Sequence, residues 1–151
     1  MSATSPPQDP AHELDLFADS RDVMLRNDLI DALLGRDAAG ARQAQARLAA
    51  EYPGDAALAD AALLVQALAD APTSPLASLE FAQAARAALA GQLMPAARRV
   101  LGAVRQPAFT APLWARLAER AAGLPFRPDS AAGHAAALWI EAGRWQAAAA
   151  L

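Results

Sequence analysis

Residues that stop helices recur along this chain at intervals of about 16 to 19 residues, and that spacing is its tightest constraint on fold. The stops fall at Gly35, Pro53-Gly54, Pro72 to Pro75, Gly91, Pro107, Pro125 to Pro128 and Gly143. Each interval has the length of one helix. Alternate stops, at Gly35, Pro72, Pro107 and Gly143, lie 37, 35 and 36 residues apart. A fixed period in the mid-thirties, built from helix–turn–helix units, is the signature of an α-solenoid. The expected fold class is therefore all-α: an antiparallel helix-turn-helix solenoid of about seven to eight helices, without a sheet.

The unit is clearest between Asn27 and Pro53. Leu29, Ile30, Leu33 and Leu34 recur at helical spacing, and Gly35 follows where a left-handed residue is needed. A second helix then carries Ala41, Ala44 and Leu48 on one side and ends before Pro53-Gly54. Alanine supplies 45 of the 151 residues, which favours helix throughout and predicts a thin, closely packed core. Helices are expected near 20–35, 38–52, 56–71, 75–90, 93–106, 110–123 and 130–142, with another from 144. The capping residues assigned to them are Asp19 or Ser20, Asp55, Ser74 ahead of Pro75, Thr110, and Asp129 or Ser130. Pro95 stands early enough in its helix to be tolerated. Asp22 and Arg26 form an i,i+4 pair in the favourable orientation.

Ahead of this array, residues 1–10 hold three prolines and no periodicity, and read as a disordered lead-in. Residues 11–151 read as one helical repeat domain, with Ala11 to Phe17 a short helix of its own that docks Leu14 and Phe17. The last helix has only eight residues after Gly143, with Trp139, Ile140, Trp145 and Leu151 uncovered. Solenoid ends need a polar cap, so a continuation beyond Leu151 or a homodimer through this end is expected.

Several chemistries lack their residues. No cysteine rules out disulfides, thiol catalysis and Cys-type zinc sites. All 13 basic residues are arginine, consistent with the codon bias of a GC-rich genome; without lysine there is no P-loop lysine and no Schiff base. His12-Glu13 opens a metalloprotease-like motif that Leu16 fails to complete, and His134 is the only other histidine. Asp15, Asp19 and Asp22 stand at i, i+4 and i+7 but read better as a solvated acidic stretch than as a cation site. No enzyme activity and no cofactor is expected. Residues 1–60 hold eleven acids against five arginines, which disfavours nucleic acid as the main partner. No apolar run is long enough for a membrane span and no leader-type N-terminus is visible, so the expected location is the cytoplasm.

The turn at Gly143-Arg144-Trp145-Gln146-Ala147-Ala148 resembles the Gly-x-aromatic-x-x-Ala turn of the tetratricopeptide repeat, with Trp139 and Ala136 in that family's first-helix positions. Gly91-Gln92-Leu93-Met94-Pro95-Ala96 is similar with an aliphatic in the aromatic slot, and Pro53 follows the first hairpin where the family has its closing proline. Gly35-Arg36-Asp37-Ala38-Ala39-Gly40 keeps only the small residues. The resemblance implies stacked helix pairs with a concave, protein-binding face. On the first hairpin that face would present Asp22, Leu25, Leu29, Ala32 and Leu33, too apolar for the family's carboxylate clamp and suited to an apolar helix. The candidate partner-binding residues are Asp22, Leu25, Leu29, Leu33, Trp139 and Trp145. The expected function is that of a non-enzymatic protein–protein interaction module or scaffold, binding another protein or a further part of its own chain. The alternative is a regulatory or substrate-holding domain of a larger enzyme.

Overall fold

A computed structural model describes the backbone from Pro10 and the side chains from Ser20 to Leu151. The lead-in over residues 1–9, and the side chains of His12, Leu14, Asp15, Phe17 and Asp19, lie outside the described residues. Among the described residues eight α-helices run in order: α1 (Pro10–Leu34), α2 (Ala38–Glu51), α3 (Leu58–Ala69), α4 (Leu79–Ala88), α5 (Met94–Leu101), α6 (Gln106–Ala121), α7 (Ala135–Glu141) and α8 (Trp145–Ala149). No strand occurs among the described residues.

α1 and α2 form the hairpin expected, with an antiparallel register fixed by ion pairs between Arg21 and Glu51 and between Asp28 and Arg47. The left-handed residue of the turn is Arg36 (φ 57°), one place beyond Gly35. Arg36 N–H donates to the Leu33 carbonyl and Asp37 N–H to the Ala32 carbonyl, which satisfies two of the last carbonyls of α1. A non-glycine residue there is strained, and two contacts hold it: the Arg36 guanidinium donates to the Phe109 carbonyl at 3.2 Å and lies over the Phe109 ring. Asp37 caps α2 by accepting from Gly40 N–H at 2.9 Å.

Four expected boundaries move. The segment 11–17 and the helix from 20 are one continuous α1, so Asp19 and Ser20 lie inside a helix and not at its start. Ser74 does not start a helix either. Leu76 N–H donates to the Arg120 carbonyl and Arg120 Nε to the Ser74 carbonyl, holding that segment extended against α6; Ser78 caps α4 instead. Pro107 sits in the first turn of α6, where its missing N–H costs nothing. The chain turns earlier, at Gly102 with φ 81° and ψ 160°, a conformation open essentially to glycine alone. Thr110 is then buried inside α6, its hydroxyl donating to the Gln106 carbonyl and accepting from the Gln106 amide. Residues 128–133 form a 3₁₀ turn, and His134, not Asp129 or Ser130, caps α7.

Gly91 is not a break. Leu89–Leu93 form a π-turn, with Met94 N–H donating to the Leu89 carbonyl five residues back, and the helix continues from Leu79 to Leu101. Pro95 has no N–H and would crowd the Gly91 carbonyl in a regular α-helix. The wider turn just ahead of it removes that conflict. The stop expected at Gly91 is therefore absent, and α4 and α5 join without a turn between them.

Two apolar clusters meet along this long helix. The first joins Leu25, Leu29 and Leu33 of α1 with Ala41, Ala44 and Leu48 of α2, Leu64 of α3, Ala96 and Ala97 of α5, and Phe109 of α6. The second joins Leu89 with Trp114, Leu117, Ala118 and Ala121 of α6 and Ala135 and Leu138 of α7. Leu93 and Leu113 pack against both. Buried alanines let neighbouring backbones approach closely, so each cluster is thin but well covered.

Candidate partner-binding surfaces

The six sequence-derived candidates separate into three kinds. Leu25, Leu29 and Leu33 are buried beneath α2, α3 and α5, so they form core and present no groove. Asp22 lies beside Arg26 at 3.0 Å, and the same guanidinium reaches Asp55 at 2.8 Å. Its Oδ1 is covered and has no hydrogen-bond partner among the described residues. Trp139 is half-buried against the second cluster. Trp145 is 66% exposed, and Ile140 on the preceding helix is 44% exposed.

The α7–α8 turn that holds these residues matches the expectation from Gly143, which has φ 72°. Gly143 N–H donates to the Ile140 carbonyl and Arg144 N–H to the Trp139 carbonyl, closing α7 and reversing the chain. α8 is one short turn with no buried residue, so Trp145 is carried on a helix that does not cover it.

A cleft of about 310 Å³ lies between α1, α3 and α5, with Leu29, Ile30, Ala56, Ala57 and Val100 among its lining residues. Its charges are already matched. Asp55, with a side chain only 2% exposed, binds Arg26 through Oδ2 and the Ala57 N–H through Oδ1 at 2.8 Å. Arg99 grips Asp60 with two hydrogen bonds of 2.6 and 2.7 Å. The hydrogen bond from Arg99 holds the Asp60 carboxyl below its ordinary value, and Arg21 does the same to Glu51. Arg99, close in sequence to Arg98 and Arg105, has a specific acid 39 residues away, which local spacing does not reveal.

A carboxyl whose folded pKa is depressed adds stability above its unfolded value and loses it as pH falls through the folded one. For Asp60 that loss lies below the usual carboxylate value of about 4. Asp60→Asn is expected to unfold at a lower urea concentration than the parent at pH 7, with the difference closing as pH is taken down through the carboxylate range. A gap that stays constant with pH would show that the Arg99–Asp60 pair has no part in it.

The α6 surface differs. One cleft of about 250 Å³ runs between the end of α3, the π-turn and α6; another of about 280 Å³ lies between α6 and the α7–α8 turn. Arg116 lines both, accompanied by Arg120 and Asp70 in the first and by Arg144 and Glu119 in the second. Neither Arg116 nor Arg144 has an ion-pair partner within 4.0 Å among the described residues. Arg116 and Arg120, four residues apart on α6, share one side of the helix, a spacing visible in the sequence; the apolar cleft beside them was not.

Among the described residues no three His, Asp or Glu side chains come together as a metal site, and no helix is long and apolar enough to cross a membrane. His134 spends its Nδ1 accepting from Ala136 N–H and sets its ring edge-on to Phe126 at 5.3 Å. Comparison of the chain with protein-family models, with curated proteins and with solved structures finds no match.

Proposed function

We propose that this chain is a non-enzymatic helical module, of tetratricopeptide-like organisation, that binds another protein. The observation that carries the reading is Trp145. A tryptophan two-thirds exposed on a short helix that buries nothing, beside a part-exposed Ile140, is costly in water and typical of an interface anchor. The α1–α2 and α7–α8 hairpins, with successive helices packed on one another, support the repeat-like organisation. The π-turn that fuses α4 to α5 and the contact of α1 with α6 depart from a strict solenoid. The proposed location is the cytoplasm.

The test is a photo-crosslinking residue in place of Trp145, used in the native cells, followed by reconstitution of the captured partner with purified chain. Trp145→Ala is expected to weaken that complex by about thirtyfold, the effect of losing an anchor worth about 2 kcal/mol. Unchanged affinity of the variant for the purified partner, or no crosslinked protein at all, would remove the basis of the reading.

A further inference from the structure

The cleft between α3, the π-turn and α6 combines apolar walls with two arginines that form no ion pair among the described residues. Arg36 is anchored on the Phe109 carbonyl, and Arg116 lies seven residues further along α6. Seven residues turn an α-helix through 700°, only about 20° short of two full turns, so Arg116 lies on Phe109's side of the helix. The carbonyl of Phe109 points towards the C-terminal end of α6, which brings the Arg36 guanidinium towards Arg116. Consistent with this proximity, burial and then the charge of Arg116 lower the pKa of Arg36. Arg120 follows one turn later, and Arg144 enters from the α7–α8 turn. Arg116 and Arg120 thus line the first cleft with Asp70, and Arg116 and Arg144 the second with Glu119, in a chain whose net charge is −3. Asp70 accepts from the Gln66 amide at 3.3 Å, and neither acid forms an ion pair among the described residues.

Gathering like charge on one face of an acidic chain raises its energy unless an anion comes to it. The adjoining cleft names the second requirement. Its walls include Leu89, Leu93, Leu113 and Leu117, at the place where the two apolar clusters meet. A volume of about 250 Å³ suits one or two aliphatic side chains, below the several hundred Å³ of most sites for whole small molecules.

We infer that the cleft between α3, the π-turn and α6 receives an acidic segment of a partner protein, one aliphatic side chain of which enters between the leucines while flanking carboxylates meet Arg116 and Arg120. This rests on the interaction-module reading above and places the acidic contact on α6, in a cleft that Trp145 does not line. The π-turn contributes directly, since Leu89 and Leu93 bracket it and both line the cleft. Arg120 already donates Nε to the Ser74 carbonyl, which fixes its position and leaves its terminal nitrogens for a ligand. Arg116 has no such tie, and its role is binding.

The probe is a synthetic 12-residue peptide alternating glutamate with leucine, titrated into isotopically labelled chain while backbone amide shifts are followed. Shifts are expected to concentrate at Leu89, Leu93, Leu113 and Arg116. Arg116→Glu should weaken binding at least tenfold, whereas Arg98→Glu, on α5 outside both α6 clefts, should leave it unchanged. Peptides with serine for leucine or lysine for glutamate should bind at least tenfold more weakly. No shifts at millimolar peptide, equal binding to the Arg116→Glu chain, or equal binding of the serine peptide or of a single-stranded oligonucleotide would overturn the proposal. If the partner captured through position 145 binds the Arg116→Glu chain normally and its acidic segments leave α6 unshifted, the interaction-module reading stands and this one falls.

Discussion

Trp114→Ala is expected to lower the stability of the folded chain by about 3–5 kcal/mol, the range for removing a large aromatic from a closed core. Trp114 is almost fully buried, at the centre of the second cluster, with Leu117, Ala118 and Leu138 packed around it. Its neighbours on α6 and α7 are largely alanines, whose side chains cannot swing in to fill the space. A domain of this size is stable by about 5–15 kcal/mol, so the variant can be substantially unfolded at room temperature. Trp114→Leu, which retains much of the volume, serves as the folded comparison and is expected to lose less. Urea titration followed by circular dichroism reads both. A loss below about 1 kcal/mol for the alanine variant would place Trp114 outside the core.

Leu33→Ala is expected to cost about 2–5 kcal/mol, although Leu33 reads from sequence as part of a partner-binding face. Its side chain is completely covered, between Leu29 and the alanines of α2. If Leu33 served a groove, truncation would leave the urea midpoint near that of the parent and change only binding. Because Leu93 and Leu113 touch both clusters, the two variants are expected to unfold in one transition each, with no plateau separating the halves.

Leu33 also marks the boundary of what sequence can say. The periodicity of Leu25, Leu29 and Leu33 specifies an apolar stripe on α1, and the stripe exists. Whether it faces a ligand or other helices depends on where α3 and α5 lie, and those positions follow from contacts distant in sequence. The helical class, the α1–α2 and α7–α8 turns and the Asp22–Arg26 pair were all legible, because each rests on residues within about one or two turns of one another. The cap at Ser20 and the stop at Gly91 were over-read. An isolated serine or glycine costs a helix about 1 kcal/mol or less, and tertiary packing outweighs that. At the α1–α2 turn the left-handed residue was read as Gly35; contacts with Phe109, 73 residues away, select Arg36. Of the candidate site, Trp145 and the Arg116–Arg120 spacing could be seen in advance. The cleft beside those arginines could not, since three separate segments build it.

The closeness of the helices imposes a one-sided freedom on future change. Ala41, Ala61, Ala82, Ala96, Ala97, Ala118 and Ala121 have no accessible surface left. A larger residue at any of them must push two backbones apart, and glycine, the only smaller choice, loosens the helix itself. Drift at these positions is therefore confined to the smallest side chains, while exposed residues outside the ion pairs and the α6 clefts can turn over freely. Descendants of this chain would keep the distances between helices and lose most of the recognisable sequence, and two distant copies would be easier to match by backbone than by residue.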